Sequence, residues 1–300
     1  MLISKEIIIG KFQLISALVL LLCTSGFGEY NSHSVLFMNV PNGARQIAMA
    51  ETGVSYADGG SSVWWNPAFL ATDRSEIDFQ VFRWIADFRG SFGGARFKTG
   101  WGGLGVYYFN QSMDDFEARD HPGPSQGTFS VHQTLFAGGT GVNLGWGFKT
   151  GLVYKTAIEN IYGYRENGYH AVDLGVGWSM NAWSAGMALA NIELVNNVDE
   201  PFPTTLRAGL SHFRRLGQFD IVISGEGSKV MDGDTYLHLG AEAGWRELLF
   251  LRGGYMTGHD SRSVSFGLGV KLKQYRADIS IVPFNNELGS VWRVGLGVAI

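Results

Sequence analysis

The sequence predicts an all-β fold, a transmembrane antiparallel β-barrel of about fourteen strands behind a short N-terminal segment. Three observations carry that prediction. From residue 76 to Ile300, apolar residues alternate at period two with glycine and charge. The connections between these runs alternate between short and long. A secretory leader stands in front of them all.

The leader occupies residues 1–28. Lys5 and Lys11 make it basic, 12–22 form its apolar core, and the Ser25-Gly-Phe-Gly28 stretch supplies small residues for cleavage. That core is too short to span a bilayer as a helix. Cys23, the only cysteine, lies inside the leader, so a mature chain has neither disulfide nor thiolate metal site. Acylation of Cys23 is the competing reading, and Leu22 stands where a lipobox needs a small residue. Charged residues are 17% of the chain, below the usual quarter, and 42 glycines are about twice the usual share. A net charge of −4 with no basic patch argues against a nucleic-acid partner.

The barrel, 76–300, divides into strands near 76–84, 89–98, 101–110, 127–142, 146–158, 168–180, 182–192, 204–215, 217–229, 235–246, 248–257, 261–273, 275–284 and 290–300. Most are long enough to cross a membrane at a tilt. The 168–180 run places Val172, Leu174, Val176, Trp178 and Met180 on one face, against Asp173, Gly175, Gly177 and Ser179 on the other. The 261–273 run does the same with Phe266, Leu268, Val270 and Leu272 against Gly267, Gly269 and Lys271. The expected long loops are 111–126, 159–167 and 193–203. Short turns belong on the periplasmic side and long loops outside, which puts both ends of the barrel at the periplasm. Trp101, Tyr107, Tyr108, Trp146, Tyr154, Trp178, Trp183, Trp245, Tyr255 and Trp292 fall towards strand ends, where aromatic girdles sit. Asp173, Arg207, Asp220, Glu226, Glu242, Arg252, Lys271, Asp278 and Arg293 take the non-lipid face and are expected to pair across the lumen.

Catalytic chemistry finds little footing. Ser130 and His132 share a strand face with no third group to complete a triad. The seven histidines are scattered and show no zinc spacing. Asp232-Gly-Asp234 reads as a hairpin turn, and Gly138-Gly-Thr-Gly141 lies inside a strand. The expectation is a non-enzyme with no cofactor and no metal, in contact with outer-membrane lipid.

Residues 29–75 lack strand periodicity. Their informative stretch is Ala44-Arg45, Met49 and Gly53, Ala57-Asp58, then Trp65-Asn66-Pro67-Ala68 with Leu70. It resembles the N-terminal signature of the PorV/PorQ family of outer-membrane barrels associated with type IX secretion. More distantly it resembles the FadL group of hydrophobic-substrate channels, which share the Asn-Pro-Ala element. Ala50-Glu51 stands where the first family has paired glycines, and Phe69 replaces its glycine after Asn-Pro-Ala. The resemblance implies a plug-like segment in or beneath the barrel, marked by Arg45, Asp58, Trp65, Asn66, Pro67 and Ala68, with Arg45 and Asp58 as candidate lumen partners. Asn66-Pro67 is also a sound helix start, and a tight connection into the first strand is the plainer reading of the motif.

Two functions follow as expectations. The PorV/PorQ resemblance implies a non-enzymatic secretion accessory that binds cargo proteins carrying a C-terminal signal domain, with Phe116, Tyr162, Tyr164 and Phe202 as candidate loop anchors. The FadL resemblance implies instead a channel for uptake of hydrophobic small molecules. Both place the chain in the outer membrane.

Overall fold

A computed structural model describes residues 35–119, 121–161, 164–195, 201–231, 233–285 and 288–300. The leader, Cys23, Tyr162, Asp199, Glu200 and Asp232 lie outside them, as do the side chains of 164–167 and Val195.

The described residues form fourteen strands: β1 (Glu76–Arg83), β2 (Arg89–Lys98), β3 (Gly102–Ala118), β4 (Gly127–Gly145), β5 (Phe148–Ile161), β6 (Tyr164–Met180), β7 (Trp183–Val195), β8 (Thr205–Leu216), β9 (Phe219–Val230), β10 (Thr235–Trp245), β11 (Leu249–Thr257), β12 (Val264–Leu272), β13 (Tyr275–Pro283) and β14 (Ser290–Ala299). Each pairs antiparallel with its sequence neighbours, and β1 pairs with β14 from Glu76↔Ala299 to Arg83↔Trp292, which closes the barrel. Closure leaves no edge strand with unpaired backbone groups, the condition for a sheet in lipid. The chain is an outer-membrane β-barrel.

The alternation in the sequence sets the two faces. Leu174, Val176, Phe266, Leu268 and Leu272 are exposed to the outside, while Asp173, Gly175, Gly267 and Gly269 turn inward. Trp101, Tyr108, Trp146, Tyr154, Trp183, Trp245, Tyr255 and Trp292 are exposed on the outer surface. Tyr107 is the exception in the expected girdle: it is buried in the lumen, where its hydroxyl accepts from Asn42 Nδ2 at 2.7 Å. One residue of register decides this, because adjacent residues on a strand face opposite ways.

Two expected loops contain strand. β3 continues to Ala118, so the first half of 111–126 is strand, and β4 starts at Gly127 as expected. A bulge between Met113 and Phe116, with Asp115 at φ 61°, bends the hairpin, and Phe116 stacks on Phe129 across it at 5.1 Å. Likewise β5 reaches Ile161 and β6 begins at Tyr164, inside the expected 159–167 loop. Strand pairing does not stop where the membrane does. These extensions are polar, so the hydropathy pattern that marks a spanning strand ends before the ladder does.

Candidate functional site

Residues 35–71 lie within the ring of strands and contact its inner wall. Helix α1 (Ala44–Ala48) starts after Gly43 at φ 94°, and Ala50 and Glu51, at φ 56° and 61°, then reverse the chain. A turn on Gly53 leads to Asp58, a 3-10 turn over Gly59–Ser61 and helix α2 (Ser62–Trp65). Asn66 follows in an extended conformation. Its Oδ1 accepts from Ala68 N at 3.0 Å and caps a 3-10 helix, Pro67–Leu70, with proline at the position where no amide is needed. Asn66 Nδ2 donates to Val54 O at 2.8 Å and to Val176 O of β6 at 3.1 Å, so this cap also ties the segment to the wall.

Towards the short-turn end of the lumen, charges from segment and wall close into a ring. Arg45 Nη1 lies 2.9 Å from Asp58 Oδ2, and its Nη2 and Nε reach Glu242 of β10 at 2.7 and 2.8 Å. Glu242 also accepts from Arg252 of β11 at 2.5 Å, and Arg252 reaches Asp278 of β13 at 2.7 Å. Arg276 of β13 then joins Asp278 at 2.9 Å to Asp58 at 2.8 Å. Three arginines and three carboxylates alternate around this circuit, and it crosses between segment and barrel twice. Burial alone would raise the Asp58 carboxyl. Arg276 and Arg45 outweigh it and hold the group well below the ordinary carboxylate range.

Further bonds fix the rest of the segment. Glu226 of β9 accepts from Gly53 N and Val54 N at 2.7 and 2.9 Å. Glu76 of β1 accepts from Gly59 N at 2.9 Å and pairs with Arg96 of β2. At Gly151, Gly186 and Gly240 a β-carbon would overlap the backbone of Pro67, Val54 or Met49. The wall is built from glycine where another backbone lies against it.

Towards the long hairpins one part of the lumen is an apolar cluster. Phe37, Met38, Val63, Trp64 and Trp65 pack against Phe82 of β1, Phe92 of β2, Tyr107 and Phe109 of β3, Leu135 of β4 and Tyr169 of β6. Phe82 stacks on Phe109 at 5.5 Å, and the Arg207 guanidinium sits 4.2 Å over the Trp64 ring. Trp65 Nε1 donates to Asn42 O at 2.7 Å, so its one polar atom is satisfied.

A second polar cluster lies beside Ala50-Glu51. Glu51 pairs with Arg262 of the β11–β12 connection at 2.9 Å, and His238 of β10 donates from Nδ1 to Ala50 O at 2.8 Å while its Nε2 meets Ser228 Oγ at 3.2 Å. Glu51, His238 and His259 bring potential metal-ligand atoms within 4.8 Å of one another, a juxtaposition that their sequence spacing hides. Arg262 already engages both oxygens of Glu51, and both His238 nitrogens are in bonding contact. That donor set suits an internal hydrogen-bond network better than a cation.

Of the residues singled out from sequence, Arg45, Asp58, Trp65, Asn66, Pro67 and Ala68 are brought together in this buried segment. The proposed loop anchors are not. Phe202 is only 3% exposed and packs edge-on against Tyr169, so it belongs to the interior rather than to a docking surface. Phe116 is exposed, on β3. Tyr162 and the Tyr164 side chain lie outside the described residues. Of the nine lumen charges, Asp220 sits instead at the short-turn rim, 2.6 Å from Arg215. Sequence reading missed Lys155, which pairs with Asp173 at 2.6 Å, and also Glu51, Glu76, Arg96, His238 and Arg276. Strand parity with Val153 and Ala157 would have found Lys155. No local signal points to Glu51.

No protein-family model matches the chain, and no curated protein matches it. Solved structures do. The Pseudomonas putida toluene transporter TodX has a TM-score of 0.58 at 12% identity over 91% of this chain and 99% of that one. The CymD monoaromatic hydrocarbon channel has 0.56 at 12% identity over 89% and 98%. A Pseudomonas aeruginosa FadL homologue has 0.50 at 9% identity over 92% and 97%. What is shared is the fold. At these identities it carries no substrate, and nothing in the comparisons supports the PorV/PorQ secretion reading.

Proposed function

We propose that this protein is an outer-membrane channel for hydrophobic small molecules, closed in this structure by residues 35–71. One observation carries the reading. Towards the long hairpins the lumen holds a continuous aromatic and aliphatic cluster from Phe37 to Phe202, whereas a water-filled pore needs a polar lining throughout. An apolar solute entering from outside meets surfaces that already exclude water. The fold likeness to a toluene transporter and to a monoaromatic hydrocarbon channel supports the same class of solute. The action is binding and passage, with no bond made or broken.

The accessory reading fares less well. Its signature residues are engaged in closing the lumen, and Phe202 is buried. The test is uptake of radiolabelled toluene by cells of an outer-membrane host that express the chain. The channel reading expects accumulation above vector controls, abolished when the segment is cross-linked between positions 54 and 186. Equal uptake with and without the protein sinks it. Co-purification of exported proteins sharing a C-terminal domain would return the accessory reading to first place.

A further inference from the structure

We propose that the extracellular end of the lumen holds a carboxylate-binding subsite, built on Arg293 and walled by Phe82 and Trp84, that fits an aromatic monocarboxylate. The inference rests on the channel reading and narrows its substrate class.

Arg293 of β14 is fully buried, and its Nε, Nη1 and Nη2 have no hydrogen-bond partner. Ser280, its direct cross-strand neighbour on β13, is also buried with its hydroxyl unpartnered. A guanidinium stays charged in a protein, and a buried unpaired charge is among the costliest features a fold can keep. Among the described residues Arg262 pairs with Glu51, Asp278 is held by Arg252 and Arg276, and the Tyr107 hydroxyl accepts from Asn42. Glu51 Oε1 faces Arg262 without completing a hydrogen bond, and no acceptor reaches Arg293. Among these residues Arg262 and Arg293 share one carboxylate, a local excess of one positive charge that a monoanion balances.

The walls specify the rest of the ligand. Phe82, Arg293, Trp84, Arg262 and Phe284 form an alternating ladder. Arg293 lies 4.5 Å from the Phe82 centroid and 5.3 Å from that of Trp84, and Arg262 lies 5.6 Å from Trp84 and 5.5 Å from Phe284. A planar carboxylate matches the two-pronged edge of a guanidinium, and a flat ring joins aromatic neighbours by stacking. Arg262 and His259 come from the connection 258–263, between β11 and β12.

The full-length protein in mild detergent is titrated with benzoate, with toluene as its neutral isostere and with inorganic phosphate, following tryptophan fluorescence and the heat-induced unfolding midpoint. The expected result is saturable benzoate binding that phosphate does not reproduce. Arg293→Met should lose it at least tenfold while keeping its toluene response, and Arg293→Lys should be weakened because it cannot bond bidentately. Arg293→Met removes an unpaired buried charge, so a folded barrel is expected; the toluene response confirms it. Benzoate binding unchanged in Arg293→Met, or matched by phosphate, overturns the proposal. Toluene binding without benzoate binding overturns the subsite and leaves the channel. Silence to both overturns both.

Discussion

Glu242 accepts from two arginines that belong to different parts of the molecule, Arg45 of the enclosed segment and Arg252 of the wall. Its substitution therefore does more than remove one bond. Glu242→Gln leaves two buried cations short of an anion, and the expected loss is about 3–5 kcal/mol. The check is the temperature at which the barrel loses its compact migration on unheated detergent gels. His259 gives a different handle. Burial, and then Arg262, hold its imidazole down at about 4, against 6.5 in the unfolded chain. A depressed folded value means the unfolded state takes up the proton first. The contribution of His259 is thus complete above pH 6.5 and is lost as pH falls towards 4. Wild type should lose thermal stability between pH 7 and pH 5, and His259→Phe should be flatter over that window; parallel slopes would remove His259 from the account. Arg45 and Asp58 stood out in the sequence because they lie in a short motif. Arg276 did not, since its three carboxylate partners come from the segment, β1 and its own strand. Bonds between residues some 200 positions apart leave no mark in local spacing.

At the scale of elements, the strands were legible and the segment inside them was not. Period-two alternation assigns each side chain to lipid or lumen, and on β12 it does so without error. Strand length was misjudged where β3 continues past residue 110 as a polar extension, because hydropathy reports the membrane and not the hydrogen-bond ladder. Residues 35–71 have short helices, reversals at Ala50-Glu51 and no repeating period, so only the capped Asn66-Pro67 turn could be read locally. What holds the segment is shape as much as charge. A side chain at Gly151 of β5 would occupy the space of Pro67. Gly151→Leu should leave the barrel closed, since its outward face and strand pairing are untouched, but should force the 3-10 helix off the wall. Limited trypsin digestion would then cut at the buried Arg45 while wild type resists there. Equal resistance would mean that the wall yields instead of the segment.

For the molecule as a whole, the lumen carries a ring of ion pairs towards the short turns and an aromatic cluster towards the long hairpins, with one segment threaded through both. Displacing the segment therefore requires breaking the contacts of Arg45 and Asp58 with Glu242 and Arg276. The pairing of β1 with β14 has a consequence in time. The last strand to be synthesised is the partner of the first, and loop closure over so long a stretch is entropically slow to find. The enclosed segment precedes β1 in the chain, yet Glu242, Arg252, Arg276 and Asp278 all arrive late, on β10, β11 and β13. An assembling barrel thus holds its stopper by only half its contacts until the final hairpins zip shut. The closing seam acts as a clasp, and a chain cut short before Ser290 would be an open gutter with its plug loose in it.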